Sequence, residues 1–321
     1  MSTVSTPSDA AGAPVPGRAA DRPPAPRSTS LVTGLVRLAR PKQWAKNVLV
    51  FAAPAAAGVL DNRQWAIDAG TAFVVFCLAA AGTYYVNDAR DADADRLHPK
   101  KATRPVASGV VPVPLAYGLG AVLLAGSLAL ASTVNANLVW AALGYVVLTT
   151  AYSAVLKHVA VVDLVAVAAG FVLRAVAGAA ATEVPISDWF FIVTSFGALF
   201  MISGKRAAEA SEMGDGAGDF RTVLETYTVT YTAYLRSVTS GAVLVAYCLW
   251  AFEKAEALPD PSWVPWYQLS ILPFVMAVLR YALVLDQGKG SAPEDIVMSD
   301  RPLQLIGAAW GVLFALGVYA G

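Results

Sequence analysis

The stretch Asn87-Asp88-Ala-Arg-Asp91-Ala-Asp-Ala-Asp95 follows directly on a long apolar run, Gly70 to Val86. A helix turns about 100° per residue, so Asn87, Asp91 and Asp95 are predicted to lie on one face. Three oxygen-bearing side chains at the end of a membrane-length helix suit a hard divalent cation such as Mg²⁺, which substrate phosphates usually complete. The alternative is a solvated acidic helix end. Carboxylates beside a membrane segment are costly, which favours the metal site.

Composition assigns the chain to a class of protein. Of its 321 residues, 57% are hydrophobic and only 14% are charged. Several apolar runs approach the roughly 20 residues that cross a bilayer. We therefore predict an all-α polytopic membrane protein with about nine transmembrane helices. The predicted spans lie near 45–60, 66–90, 112–133, 136–156, 161–182, 187–206, 228–251, 266–285 and 302–320.

The connections between these spans alternate in charge. Long basic segments, such as Arg90 to Arg104 and Lys205 to Arg221, alternate with short connections that contain almost no Lys or Arg. Positive charge near span ends marks the cytoplasm, so the Asn87 helix end is predicted to face inward in the cell membrane. Residues 1–30, rich in Pro, Ala and Ser, are predicted to be a disordered cytosolic tail, which places the N-terminus inside. The helical membrane domain would then cover 31–321.

Further chemistry-bearing residues fall on the predicted inner side. Tyr152 and Lys157 end one span, and Asp163 opens the next. Arg174 lies deep in an apolar helix, where a guanidinium is expensive unless it is paired or faces a watery cavity. The alternative interpretation is a structural pair with Asp163 or another carboxylate. Lys205, Arg206 and Glu209 form a third group at the inner end of another span, for which a positive-inside anchor is nearly as good an interpretation as a phosphate contact.

The number of bases near the acids indicates the charge of the ligand. A single diphosphate needs fewer cations than the sequence offers, which suggests more than one phosphate group. The bases in question are Lys42, Lys46, Lys101, Arg104, Lys157 and Arg174. Asp88 remains open between a loop cap and a second ion site. The chain has no GxxxxGK[ST] loop and no GxSxG elbow, and its bases lack the aromatic platform typical of nucleic-acid binding.

The pattern Asn87-Asp88-x-x-Asp91-x-x-x-Asp95, at the inner end of the second span, resembles the UbiA superfamily of intramembrane prenyltransferases. The resemblance implies a helical bundle around a central cavity that opens to the cytoplasmic side. It also implies that the motif binds a diphosphate through Mg²⁺. Typical members carry a second DxxxD motif, whereas this chain has Tyr152-Ser-Ala-Val-Leu-Lys157 and a lone Asp163. That departure argues against a prenyl diphosphate as the donor.

Three segments resemble one branch of the superfamily, the decaprenyl-phosphate phosphoribosyltransferases. They are Arg40-Pro-Lys-Gln-Trp-Ala-Lys-Asn47, Asp95-Arg-Leu-His-Pro-Lys-Lys101 with Arg104-Pro-Val-Ala-Ser-Gly109, and Tyr152 to Asp163. The resemblance implies transfer of 5-phosphoribose from 5-phosphoribosyl 1-diphosphate to a polyprenyl phosphate, releasing diphosphate, for cell-wall arabinan precursor synthesis.

The resemblance also distributes the roles within that reaction. Asn87, Asp91 and Asp95 would act with Mg²⁺, and Lys157 would join them in catalysis. Donor and phosphate binding would fall to Lys42, Lys46, Asn47, Lys101, Arg104, Tyr152, Asp163, Arg174 and Lys205.

Two other functions stay open at this point. One is a prenyltransferase that joins a prenyl diphosphate to an aromatic acceptor. The other is a transporter with Arg174 in an ion path, which would need charges from several spans and access from both faces. The partners expected for the phosphoribosyltransferase are the bilayer and the two substrates. The apolar outer faces permit association with further copies of the chain.

Overall fold

The computed structural model describes residues 30–98, 101–212, 226–258, 263–287 and 293–320, and within them the chain forms helices and no strand. Three 3₁₀ helices cover Pro41–Phe51, Lys101–Thr103 and Leu156–His158. The α-helices are α1 (Leu31–Ala39), α2 (Ala52–Ala56), α3 (Arg63–Arg90), α4 (Ala92–Leu97), α5 (Val113–Ser132), α6 (Ala136–Ala154), α7 (Val162–Ala181), α8 (Asp188–Glu212), α9 (Val229–Glu256), α10 (Trp266–Asp286), α11 (Pro293–Ser299) and α12 (Arg301–Tyr319).

Eight helices of the described chain are long and apolar enough to cross a membrane: α3, α5 to α10 and α12. They coincide with eight of the nine predicted spans. Because each must satisfy its backbone groups internally in lipid, the apolar runs have no other stable form. The prediction of an all-α, multi-span membrane protein is confirmed.

The first predicted span, near 45–60, takes a different form. It is an 11-residue 3₁₀ helix, Pro41–Phe51, followed by the five-residue α2. A 3₁₀ helix rises about 2.0 Å per residue, so this segment still reaches deep into the bundle although it has few residues. Asn47 and Val50 on it are buried. The segment packs between α3 and α7.

Small residues on α7 allow this packing. A Cβ added to Gly178 would lie 1.7 Å from the backbone oxygen of Val50, so the two backbones are in direct contact there. Helix association in lipid depends on such close approach, because there is no hydrophobic driving force between helices. More than half of the residues in the apolar windows of α3 and α7 are buried, whereas α5 and α12 are mostly exposed. The core is therefore centred on α3 and α7.

Helix α1, which precedes the 3₁₀ helix Pro41–Phe51, is anchored to the last part of α3. Helix α1 begins after Ser30, whose side chain accepts a hydrogen bond from the Thr33 N–H at 3.2 Å. Leu38 is buried, and the Tyr85 hydroxyl donates to the Leu35 carbonyl at 2.8 Å. Helix α1 is thus packed against α3. The rest of the predicted tail, residues 1–29, lies outside the described residues.

We expect the Gly178→Ala substitution to destabilise the protein, because the new methyl group meets the Val50 backbone, which cannot move aside as a flexible side chain would. Overpacking of this kind costs about 1–3 kcal/mol. Thermal denaturation in detergent, followed by size-exclusion chromatography, measures the effect. Gly126→Ala is the control, since its Cβ meets no atom within 4 Å. An unchanged melting temperature for Gly178→Ala would contradict the close approach.

Candidate active site

A polar cavity of about 390 Å³ opens among α3, α6, α7, α8 and the 3₁₀ helix Pro41–Phe51. Five basic side chains and one carboxylate line it, so its lining is strongly positive. The cations are Arg40, Lys46, Arg174, Lys205 and Arg206, and the acid is Glu209. Hydroxyl and amide groups complete the polar lining: Gln43, Thr83, Tyr84, Asn87, Tyr145, Thr149, Tyr152 and Ser153. Such a lining suits a ligand that is both anionic and rich in oxygen.

Arg174 lies at the buried wall of this cavity, and neutral groups hold its guanidinium. Its Nε donates to Asn47 Oδ1 at 2.7 Å, one Nη donates to the Gly170 carbonyl at 2.6 Å, and the other donates to the Tyr145 hydroxyl at 3.0 Å. Within the described residues, no Asp or Glu forms an ion pair with it. The alternative interpretation of Arg174, a structural pair with Asp163 or another carboxylate, is therefore wrong for the described chain.

Asp163 instead pairs with Arg206 of α8. The carboxylate is 1% exposed, accepts from Arg206 Nε at 3.0 Å and accepts a short hydrogen bond from the Tyr227 hydroxyl. Burial and this hydrogen bond raise the pKa of Tyr227 well above its ordinary value, so it remains a donor. Arg206 also donates to the Tyr152 hydroxyl at 3.0 Å and to Glu209. Asp163 thus positions a cavity cation and does not itself line the cavity.

A second set of ion pairs lies at the end of α3. Arg40, which has a left-handed φ of 51°, stacks over Tyr84 and donates to the buried Asp88 at 2.8 Å. Arg104 contacts Asp88 at 3.4 Å and Asp95 at 2.7 Å. Asp88, which the sequence left open between a loop cap and a second ion site, joins two arginines from different segments. It thereby fixes Arg40 at the cavity wall.

The three motif residues keep the one-turn spacing that the sequence predicts, although α3 ends at Arg90. Backbone N–H groups donate from Asp91 to Asn87 at 2.9 Å and from Asp95 to Asp91 at 2.8 Å. Asn87 lines the cavity, and its amide donates to the Ser153 hydroxyl at 2.8 Å, which leaves its oxygen available. The Asp91 side chain is 36% exposed. Asp95 is buried beside Arg104, with Lys101 at 4.0 Å.

The predicted site residues thus divide into four groups. Five line the cavity: Lys46, Asn87, Tyr152, Arg174 and Lys205. Three others form a hydrogen bond with a lining residue: Asn47 with Arg174, Asp163 with Arg206, and Asp91 with Asn87. Arg104 contacts Asp88, which in turn holds the lining residue Arg40. Asp95 and Lys101 form the adjoining ion-pair cluster. Lys42 and Lys157 lie on the first and third 3₁₀ helices and are not among the lining residues.

Sequence reasoning did not select Arg40 or Tyr145 as site residues, and it left Arg206 open between a membrane anchor and a phosphate contact. A signal for Tyr145 was available: it stands seven residues before Tyr152, so the two share a face of one helix. Arg40 lies two residues before Lys42, and Arg206 directly follows Lys205. Which base of such a group faces the cavity depends on the backbone conformation, which the sequence does not show.

A second cavity, of about 450 Å³ and almost wholly apolar, adjoins the polar one. Phe171 lines both. Aromatic side chains from four helices form much of the apolar lining, namely Phe190, Tyr247, Trp250, Phe274, Trp310 and Phe314. An anionic group in the polar cavity and a hydrocarbon chain in the apolar one would therefore lie next to each other.

Comparison with known proteins agrees with this architecture. A UbiA homolog from Archaeoglobus fulgidus, solved bound to GPP and Mg²⁺, has the same fold, with a TM-score of 0.68 at 20% identity; the match covers 90% of this chain and all of that one.

Curated sequences are closer. The chain is 43% identical over 294 residues to a decaprenyl-phosphate phosphoribosyltransferase from Corynebacterium glutamicum, covering 90% of this chain and 88% of that protein. It is 44% identical to the protein of the same name from Mycobacterium tuberculosis, covering 90% and 94%. The UbiA prenyltransferase family profile matches residues 47–299, and this chain belongs to that family.

Proposed function

We propose that this chain transfers 5-phosphoribose from 5-phosphoribosyl 1-diphosphate to a polyprenyl phosphate such as decaprenyl phosphate, with release of diphosphate. The relatives that share 43–44% identity over nine-tenths of the chain bear the name of this activity. The product serves cell-wall arabinan precursor synthesis. The reaction makes the chain a pentosyltransferase.

The observation that carries this proposal is the excess of positive charge at the polar cavity. Five cations and one carboxylate line it; Asp88 and Asp163 behind the wall offset Arg40 and Arg206, but Arg174 has no acidic partner among the described residues. A buried guanidinium is stable only when an anion or a polar shell compensates it. The two substrates bring a 5-phosphate, a diphosphate and a lipid phosphate, whereas a prenyl diphosphate with an aromatic acceptor brings one diphosphate.

The apolar cavity supports a lipid acceptor. Its walls offer almost no polar surface, so they suit a hydrocarbon chain. A sugar phosphate would lose its hydration water there without gaining hydrogen bonds, which costs free energy. Because Phe171 belongs to both cavities, an isoprenoid in the apolar one places its phosphate at the edge of the polar one. This arrangement explains why a soluble sugar donor is used by a membrane-embedded protein.

The donor set at the end of α3 fits a divalent cation, which we propose to be Mg²⁺. Among the described residues, no group of three or more His, Cys, Asp or Glu side chains is placed to hold a metal. Mg²⁺ needs only one or two carboxylates, since water and substrate phosphates complete its shell. Asn87 and Asp91 would hold it, with Asp95 after release from Arg104. Bound there, the ion would neutralise the diphosphate as a Lewis acid.

The residues of the chain contribute mainly electrostatic stabilisation. An oxygen of the lipid phosphate forms a bond to C1 of the ribose, and the bond from C1 to the diphosphate breaks, its electron pair leaving with the diphosphate. Lys101, Arg104 and Lys157 would take charge on the leaving group, and Lys46 and Lys205 would hold the sugar phosphate. Fixed donors in a site shielded from water stabilise such charge separation. The acceptor phosphate is already anionic, so no general base is required.

We place the cavity mouth on the cytoplasmic side of the cell membrane. Arg90 ends α3, Lys157 follows α6 and Lys205 lies near the end of α8, and the ends of these three helices meet at the polar cavity. The opposite end of the described bundle carries few bases, such as Arg63 and Lys254. This distribution follows the positive-inside rule. It also gives the cavity access to a soluble, highly charged donor.

Purified protein supplied with labelled 5-phosphoribosyl 1-diphosphate, decaprenyl phosphate and Mg²⁺ is expected to form a labelled lipid. A parallel incubation with a prenyl diphosphate and 4-hydroxybenzoate is expected to give no product, because the positive cavity is built for more phosphate than that donor carries. Lipid extraction and thin-layer chromatography measure both. Product in the second incubation alone would overturn the proposed function.

Asp91→Asn is expected to lower turnover by about 100-fold or more, because loss of a metal-binding carboxylate removes several kcal/mol of stabilisation from the departing diphosphate. Its melting temperature in detergent should stay unchanged, since the side chain is partly exposed.

Asp93→Asn is the matched control for Asp91→Asn: Asp93 is 95% exposed and pairs only with Arg96 in the described structure. It should retain normal turnover. Near-normal activity of Asp91→Asn would remove the proposed metal role.

A further inference from the structure

Helix α6 presents two tyrosines to the polar cavity, and each is bound to an arginine of a neighbouring helix. Tyr145 accepts a hydrogen bond from Arg174 of α7, and Tyr152 accepts one from Arg206 of α8, both at 3.0 Å. Seven residues separate the tyrosines, so they lie on the same face of α6, about 10 Å apart along its axis. The cavity therefore contains two arginine–tyrosine pairs at different depths.

The arginines determine what the phenols offer to a ligand. A phenol has one proton to donate, and here its oxygen already accepts from a guanidinium. In the part of the chain that the structure describes, neither Tyr145 nor Tyr152 donates its proton to another residue. Each pair thus combines a guanidinium with a phenol proton that the guanidinium makes a stronger donor, a combination suited to phosphate oxygens. Arg206 is also paired with Asp163 and Glu209, whereas Arg174 has no acidic partner among the described residues.

The surroundings of the two pairs differ. The Tyr152–Arg206 pair lies near the end of α6, beside Lys205 and beside Ser153, which accepts from Asn87. The Tyr145–Arg174 pair lies two turns deeper, and the Arg174 guanidinium stands 5.5 Å from the centroid of the Phe171 ring. Phe171 also lines the apolar cavity. The deeper pair is therefore at the junction of the two cavities.

We propose that Tyr145 and Arg174 bind the phosphate of the lipid acceptor, whereas Tyr152 and Arg206 bind the sugar donor. This assignment rests on the proposed function. A polyprenyl chain in the apolar cavity carries its phosphate to the junction, where Arg174 is the cation at hand. The donor enters from the mouth and reaches the Asn87 end of the cavity. The two substrates then meet between the pairs.

Burial adds a physical reason for this assignment. Tyr145 is 5% exposed and Arg174 is 7% exposed, and Asn47 and the Gly170 carbonyl fix the guanidinium without neutralising it. The phosphate of a membrane lipid can supply the missing negative charge at this depth, because its hydrocarbon chain anchors it there. A free sugar phosphate would have to lose its hydration water to reach the same position, which costs free energy. The same charge, left uncompensated, gives the site a preference for polyprenyl phosphate over the uncharged alcohol.

Steady-state kinetics on the Tyr145→Phe and Tyr152→Phe variants test the assignment, because each removes one hydroxyl and keeps the ring. We expect Tyr145→Phe to raise the KM for polyprenyl phosphate about 10-fold and to leave the KM for 5-phosphoribosyl 1-diphosphate within about twofold, as for loss of one hydrogen bond to a charged group. Tyr152→Phe should do the reverse. A rise in the donor KM alone, equal rises in both, or no change in either for Tyr145→Phe would overturn the assignment.

Tyr117→Phe is the matched control, since Tyr117 is 42% exposed on α5 and lines neither cavity. Melting temperatures in detergent verify that each variant is folded. If Tyr145→Phe does not fold, Arg174→Lys replaces it: this variant keeps the charge but loses the planar fork, and the same increase in acceptor KM is expected.

Direct binding separates this inference from the proposed function. A short-chain polyprenyl phosphate and the corresponding alcohol are titrated separately into protein without the sugar donor. Tryptophan fluorescence measures binding, so the assay requires no turnover. The wild type should bind the phosphate more tightly than the alcohol, and Tyr145→Phe should reduce that ratio about 10-fold. An unchanged ratio contradicts the inference even if phosphoribosyl transfer is observed, whereas a wild type that binds normally but forms no product contradicts the proposed function alone.

Discussion

The structure depends on a guanidinium buried at membrane depth with only neutral partners. Asn47, the Gly170 carbonyl and the Tyr145 hydroxyl hold Arg174 in place through three hydrogen bonds of 2.6–3.0 Å. These contacts satisfy its geometry but leave its charge uncompensated. In a low-dielectric interior such a charge is costly without an anion. The stability given up at this position leaves a positive charge at the cavity wall, which would favour an anionic ligand there.

The buried acids of the described chain pair with cations other than Arg174. Arg206 holds Asp163, and Arg40 and Arg104 share Asp88. Because removing one partner of a buried pair leaves an unpaired charge, these pairings fix the positions of their arginines strongly. They serve the cavity indirectly, since Arg40 and Arg206 are both wall residues. The acids thus organise the cations and do not cancel the charge of Arg174.

This arrangement requires very close backbone packing. Val50 touches Gly178, which brings the 3₁₀ helix Pro41–Phe51 against α7 and puts Asn47 within hydrogen-bond distance of Arg174. Any side chain at residue 178 would push the segment away. The glycine of α7 and the unusual 3₁₀ conformation of the first segment are therefore parts of one structural solution, in which a short helix delivers a polar side chain to the centre of the bundle.

The helical class, eight of the crossing helices, the basic end of the bundle and the acid motif at the end of α3 could all be predicted from the sequence alone. These features are local: a bilayer demands about 20 apolar residues per crossing, and helical spacing sets which side chains share a face. The polar partner of each buried arginine, by contrast, could be identified only in the folded chain. Arg174 meets Asn47 from 127 positions away, and Arg206 meets Asp163 from 43. No local pattern encodes those meetings, because they arise from how the helices pack, and packing assigned Arg40, Tyr145 and Arg206 to the cavity wall.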